Sequence, residues 1–310
     1  YLITFIYIYH FKEIINNKTN TVTKTYTKMD PQNNKFINNL ASNHLATRRK
    51  SINTITQRLK NLKKQSESDR IWKGLYYAMW FSDRPLTQQK LCDELAEVYT
   101  NEELWEGNFD KFIKFSKSFW KIIALEWLNI DYHRINKYLL LIRRVFNKQL
   151  EYVIKQSNND ENDNGEKMQE FVDRVLGRFV FSGDKRIYNG IPMHVIDIST
   201  DELVKIYTKL NKDSSEEEEE EEFEITEEIV NKSHIDILFS KIFELTNDYN
   251  NNKVLRIYIK DNLVTDDTLI NWGIVEKCYK PKYVSKKDTE EDKEEYEDEE
   301  EEEEETWKGF

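Results

Sequence analysis

The chain has 310 residues, a formal net charge of −12, four prolines, eight glycines and two cysteines. Scarce Pro and Gly point to a mostly helical protein. Cys92 and Cys278 stand far apart, which excludes a disulfide framework and any paired Cys/His spacing for zinc and makes a reducing compartment the default. No apolar run approaches the ~18 residues of a transmembrane helix.

The charge is unevenly placed. Residues 32–210 carry 29 Lys+Arg and 23 Asp+Glu, whereas residues 211–310 carry 13 and 33. A mildly basic body with an acidic tail region suits proteins that work near nucleic acid, and equally a protein with a solvated tail. The first methionine is Met29. The apolar stretch Tyr1–Phe11 lacks a basic leader and a small-residue cleavage site, so residues 1–31 read as a non-native or disordered extension rather than a signal peptide.

Taken in order, Gln32–Leu45 has Phe36, Ile37 and Leu40 at helical spacing. A second helix is predicted from Thr47 to Lys64, with Ile52, Ile55, Leu59 and Leu62 facing inward. It is the most basic stretch of the chain, carrying Arg48, Arg49, Lys50, Lys60, Lys63 and Lys64. Those cations are either a solvated face or a phosphate-contacting surface. Ser66–Asp69 reads as the cap of the next helix. That helix, residues 71–81, is the densest aromatic run: Trp72, Tyr76 and Trp80 form one stripe beside Ile71, Leu75, Ala78 and Met79. Apolar on most of its circumference, it belongs in the centre of a domain. Pro85 suits the first turn of the following helix.

Thr100–Glu103 resembles a capping box, and Phe109–Trp127 is the cleanest amphipathic helix. Its outer face carries Lys111, Lys114, Lys117 and Lys121 without an acid. The helix from Tyr132 to about Lys155 repeats the design, with Lys137, Arg144, Lys148 and Lys155 placed outside. Ser157–Gly165 is a polar loop, a helix follows through Phe179, and Met193–Ile198 reads as a short strand or the start of a helix. Ser199–Glu202 opens a helix through Leu210. Glu216–Glu222 and Asp288–Glu305 are acidic runs expected to be solvated and disordered. Between them, Ile229–Leu245, Val254–Ile259 and Leu269–Trp272 suggest further helices. Ser214 and Ser215, directly before the glutamate run, suit an acid-directed kinase.

Catalytic signatures are missing from the sequence. It has no glycine-rich phosphate loop and no G-x-S-x-G, and its five histidines are scattered.

Residues 72–88, WKGLYYAMWFSDRPLTQ, resemble a signature of the eukaryotic ribosomal RNA-processing protein 1 family. Within it, Trp72, Gly74, Trp80, Asp83 and Pro85 are the signature positions. Residues 36–49 (FINNLASNHLATRR), 131–138 (DYHRINKY) and 190–203 (GIPMHVIDISTDEL) are similar to further family elements, and residues 105–120 more loosely so. The resemblance spans roughly residues 34–272. It implies an all-helical, nucleolar, non-enzymatic scaffold of large-subunit assembly, needed for processing precursor rRNA and having no catalytic residues. Some relatives carry long basic tails, which this acidic C-terminal region does not match.

The expectation is therefore an all-α fold of stacked antiparallel helical hairpins, either a HEAT-like superhelix or an irregular bundle, with disordered acidic segments. Its helical domain covers residues 32–282, with an acidic loop at about 211–224 and an acidic tail from 283. The expected partners are pre-rRNA and large-subunit assembly factors, with no cofactor, metal, membrane or small-molecule substrate. A protein-only adaptor is the alternative. Contact with rRNA is expected from Arg48, Arg49, Lys50, Lys60, Lys63, Lys64, Lys111, Lys114, Lys117, Lys121, Lys137, Arg144 and Lys148.

Overall fold

The computed structural model describes residues 31–281 apart from 106, 161–162, 215–224 and 249–250. The N-terminal extension, both acidic runs, Ser215 and the side chain of Ser214 lie outside the described residues. Those described form helices and connecting turns, with no strand among them.

Two hairpins make the body. In the first, α3 (Gln65–Phe81) turns into α4 (Pro85–Glu97). Cys92 Sγ lies 3.9 Å from Met79 Sδ, and the rings of Trp72 and Tyr99 are 6.3 Å apart, so the two helices run antiparallel. In the second hairpin α6 (Phe109–Glu126) turns into α7 (Tyr132–Asn158). Here Trp120 Nε1 donates to Gln149 Oε1 at 2.9 Å, and Phe112 meets Tyr152 at 4.5 Å between ring centroids.

The second hairpin stacks on the first with like helices side by side. Between α3 and α6, Gln65 reaches the Lys114 carbonyl (2.9 Å), Asp69 pairs with Lys121 (2.6 Å), and Lys73 pairs with Glu126. The numbers rise together on both helices, so α3 and α6 are parallel. Helices α4 and α7 pack against each other in the same way. A third long helix, α10 (Gly190–Ser214), lies parallel to α7. His194 Nε2 is 3.1 Å from the Leu139 carbonyl, Arg143 Nε donates to Glu202 (2.5 Å), and Lys209 Nζ donates to Glu151 (2.5 Å). Long helices that lie side by side and parallel, with other helices between them in the chain, define stacked hairpins, the expected all-α arrangement.

Short helices close the two ends of the stack. Helices α1 (Pro31–Leu40) and α2 (Leu45–Lys60) precede the first hairpin, and α2 packs on α5 (Glu102–Trp105). Beyond α7, α8 (Glu166–Phe171) widens into a π-helical turn (Val172–Leu176) that leads into α9 (Gly177–Phe179). The chain enters α8 through Gly165 at φ +83°, where an added Cβ would lie 2.9 Å from Ile237 Cδ1, so this turn requires glycine. Helices α11 (Glu227–Lys232), α12 (Asp236–Glu244), α13 (Lys253–Ile259), α14 (Asp267–Asn271) and α15 (Ile274–Cys278) finish the described chain.

Several boundaries differ from the sequence reading. Helix α2 begins at Leu45 and ends at Lys60. Helix α3 starts at Gln65 because Glu67, in its first turn, accepts the backbone N–H groups of Lys63 and Lys64 (3.3 and 3.2 Å). Ser68 and Asp69 are therefore not caps; they lie inside α3 and bond across to α6. Asn101, rather than Thr100, caps α5, accepting from the Leu104 N–H at 3.1 Å. Of the two readings of Met193–Ile198 the helical one holds, since the helix starts at Gly190, so Ser199–Glu202 does not open a helix. Both segments lie within α10, whose buried run of Met193, Val195, Ile196 and Ile198 reflects packing on more than one side.

His194 gives this packing a titratable reporter. It is buried, its ring facing the Leu139 carbonyl. Burial pushes its pKa down to about 4, with Arg143 adding to the effect and the Leu139 bond opposing it. An unfolded histidine titrates near pH 6.5. Between pH 6.5 and 4 the unfolded chain therefore binds a proton that the folded chain refuses, and stability falls as pH drops through that window. The expected loss is about 3 kcal/mol across the full window. Urea unfolding at pH 7, 6 and 5 checks this: H194Q should show a flatter pH dependence than the wild type, and an unchanged slope would refute the assignment.

Candidate nucleic-acid interface

The aromatic signature ends in a polar junction. Lys137, one turn into α7, donates from Nζ to the carbonyls of Trp80 (2.8 Å) and Ser82 (2.9 Å). These carbonyls close α3, where a helix has no internal donors left and a cation is favoured. Arg134 lies over the Trp80 ring, 4.6 Å from its centroid, and pairs with Asp131, the α7 cap. Tyr138 donates to the Tyr76 carbonyl at 2.9 Å, and the Gln88 side chain donates to the Ser82 carbonyl at 2.8 Å. Pro85 occupies the first turn of α4 as expected, and Asp83 is exposed in the turn beside Lys137. Trp72 is fully buried against Phe115 and Phe119, whereas Trp80 is only partly buried. Gly74 sits inside α3 and is not among the glycines of positive φ.

This junction corrects one expected RNA contact. Lys137 is not on the outer face: 6 % of it is exposed, and burial, with Arg134 adding to it, pushes its pKa down to about 8. Arg48 is a second correction. Its side chain is 2 % exposed, forked onto Glu94 (3.1 and 3.2 Å) and bonded to the Ser42 carbonyl (2.9 Å). Both cations bind protein groups that burial would otherwise strand.

The remaining basic residues divide into two groups. On and just after α2, Arg49, Lys50, Lys63 and Lys64 are exposed and form no side-chain ion pair among the described residues, Glu67 taking only the backbone N–H groups of Lys63 and Lys64. Lys60 is half-buried, and its carbonyl accepts Lys111 Nζ at 2.9 Å. On α6 and α7 the stripes expected to be acid-free are largely neutralised, half by carboxylates of the same helix (Asp110, Glu151) and half by neighbouring helices (Asp69, Asp93). Lys114 pairs with Asp110 (2.5 Å), Lys121 with Asp69 (2.6 Å), Arg144 with Asp93 (3.0 Å) and Lys148 with Glu151 (2.7 Å). Lys114 and Arg174 hold the Asp110 carboxyl below its ordinary range. Burial works to raise the Asp69 carboxyl, but Lys121, Ser118 and Gln65 outweigh it and hold that carboxyl low as well.

Two features escaped the sequence reading. Arg174 and Arg178, on the π turn and α9, come to the same side of α6 as Lys117, and Arg174 Nη2 donates to Asp110 at 2.8 Å. Their four-residue spacing is visible in the sequence, but the wide turn that aims them at α6 is not. The second feature is apolar. Phe81, Leu86, Leu125, Leu128 and Tyr132 are five of the eight large apolar side chains exposed among the described residues. All five sit where α3 meets α4 and α6 meets α7, at one end of the stack.

Comparison with known proteins gives this geometry a context. A family model described as "Nucleolar protein, Nop52" matches residues 31–310. The human protein named ribosomal RNA processing protein 1 homolog B is 34% identical over 185 residues, which are 57% of this chain and 23% of that protein. The human homolog A is 30% identical over 174 residues, 54% of this chain and 36% of that protein. The Drosophila melanogaster protein named ribosomal RNA processing protein 1 homolog is 31% identical over 177 residues, 55% and 24% respectively. The matched region thus spans about a quarter to a third of these relatives' length.

Arg48 and Lys137 should behave as structural cations. R48M and K137M are each expected to lower unfolding free energy by about 1–3 kcal/mol, the cost of stranding a buried partner. RNA affinity of the folded variants, compared below their transition temperatures, should equal the wild type's. Weakened binding with unchanged stability would reverse the assignment.

Proposed function

We propose a function for a chain that belongs to the Nop52 family of nucleolar proteins: it is a non-enzymatic ribosome-biogenesis factor, a scaffold on the nucleolar precursor of the large ribosomal subunit. In this reading it supports rRNA processing by holding precursor rRNA and other assembly factors in place. The observation that carries the proposal is the family match across residues 31–310, together with relatives whose names specify ribosomal RNA processing.

The geometry supports RNA contact through the cations left exposed. Arg49, Lys50, Lys63 and Lys64 project from a rigid helix and the turn after it, in the arrangement that binds phosphate without reading bases. Arg48 and Lys137 drop out of that surface, and Lys114, Lys121, Arg144 and Lys148 enter it only as halves of ion pairs.

A protein-only adaptor is the second reading. The apolar end formed by Phe81, Leu86, Leu125, Leu128 and Tyr132 favours it, because such clusters mark protein contacts. Crosslinking in cells separates the two: abundant RNA crosslinks support the scaffold on RNA, and protein crosslinks alone support the adaptor.

Neutralising Arg49, Lys50, Lys63 and Lys64 to Gln is expected to weaken binding to precursor rRNA by about tenfold or more at physiological salt and to flatten its salt dependence. The unfolding midpoint should stay within a degree or two, since none of the four forms a side-chain ion pair among the described residues and Gln keeps the backbone N–H groups that Glu67 accepts. Unchanged affinity would remove α2 from the interface.

A further inference from the structure

Along the outer face of α6, Asp110, Lys114, Lys117 and Lys121 recur every three or four residues and so form one line. Carboxylates neutralise both ends of it. Asp110 takes Lys114 and Arg174 at one end, and Asp69 takes Lys121 at the other. Between them stands Lys117, half-buried and without a carboxylate partner among the described residues.

The π turn fills the space beside it with more positive charge. Helix α6 packs on that turn and on α9. Arg174 is fixed there by Asp110 and Glu170, and Arg178 follows one turn later, exposed and also without a carboxylate partner among the described residues. Lys241 adds its chain from α12, where its Cε would lie 3.1 Å from a Cβ on Gly177, but its ammonium is already paired with Glu244. A π-helical turn costs hydrogen-bond geometry and is often kept where a side chain must be re-aimed. Here it brings two arginines to the side of α6 that carries a lysine with no ion pair among the described residues, Asp69 attracting it without pairing.

We propose that Lys117 and Arg178, backed by the fixed charge of Arg174, form a binding site for a backbone phosphate of RNA. The proposal rests on the RNA-binding reading above and names a phosphate locus for it. Like charges held together in the free protein raise its energy, and an arriving phosphodiester removes that repulsion as it binds. The pKa of Lys117 is depressed, first by burial and then by Arg178 and Arg174, and the attraction of Asp69 does not offset them.

The site makes stability and binding move in opposite directions. A K117Q/R178Q variant of the full chain should bind a labelled 30-nucleotide single-stranded RNA at least fivefold more weakly. Its plot of log Kd against log salt should be shallower by about 1. Its thermal midpoint should equal or exceed the wild type's, because the substitutions relieve repulsion, and K117R should retain wild-type affinity. Equal affinity and equal salt slope in wild type and K117Q/R178Q would overturn the site while leaving RNA binding standing. Wild-type protein that fails to bind the probe at low salt would overturn both. A lowered midpoint in K117Q/R178Q, with no binding defect in the folded protein, would show that the cluster supports folding instead.

Discussion

Helix α7 has to be satisfied on every side, and the rest of the fold is arranged around that requirement. At 27 residues it is about 40 Å long. It packs on α3, α4, α8 and α10, so polar side chains that a surface helix would leave in water are enclosed. Lys137 is taken up by two carbonyls at the end of α3. Gln149 accepts the Trp120 indole N–H from α6. Glu151 receives Lys148 from its own helix and Lys209 from α10. Each of these groups would cost several kcal/mol if enclosed without its partner. They therefore fix the register of every neighbour: α7 slides against α3, α6 or α10 only by breaking one of them.

The same enclosure explains what could be read from the sequence and what could not. The helical period placed the core of α6 correctly, and Phe112, Phe115, Phe119 and Trp120 are buried as their spacing requires. Trp72 was legible for the same reason. A helical wheel distinguishes one inner and one outer face, however, and a stacked hairpin has neighbours on two or three. Arg48 and Lys137 lie on faces that a single-partner picture leaves in solvent, yet Glu94 and the α3 carbonyls stand opposite them. The boundary of α10 failed for a related reason. Its run of consecutive buried residues mimics a strand because the helix packs on both α7 and α13.

Charge placement followed a similar course. Lys121 looks unopposed within α6 because its partner Asp69 comes from α3, and Arg174, which shares Asp110 with Lys114, comes from beyond α8. Local spacing gives the sign of a helix face, whereas the net field above it depends on which helices stack alongside. On this fold the field is pared down to two regions, the α2 surface and the centre of the α6 line. The wide turn after α8 supplied charge that no periodicity argument would add, since a π turn shifts everything after it out of the 3.6-residue phase.

The bond from Lys111 Nζ to the Lys60 carbonyl joins these two regions. It ties the last turn of α2 to the first turn of α6, with α5 packed against both. The separation between the two cationic regions is therefore set before any ligand arrives. A flexible basic tail loses conformational entropy when it orders on a polyanion, and part of its attraction is spent on that ordering. On the RNA-binding reading proposed above, cations mounted on braced helices avoid this loss and would act as a ruler, favouring strands whose phosphates already span the same interval. Discrimination between folded RNAs could then arise from backbone geometry alone, without a single contact to a base edge.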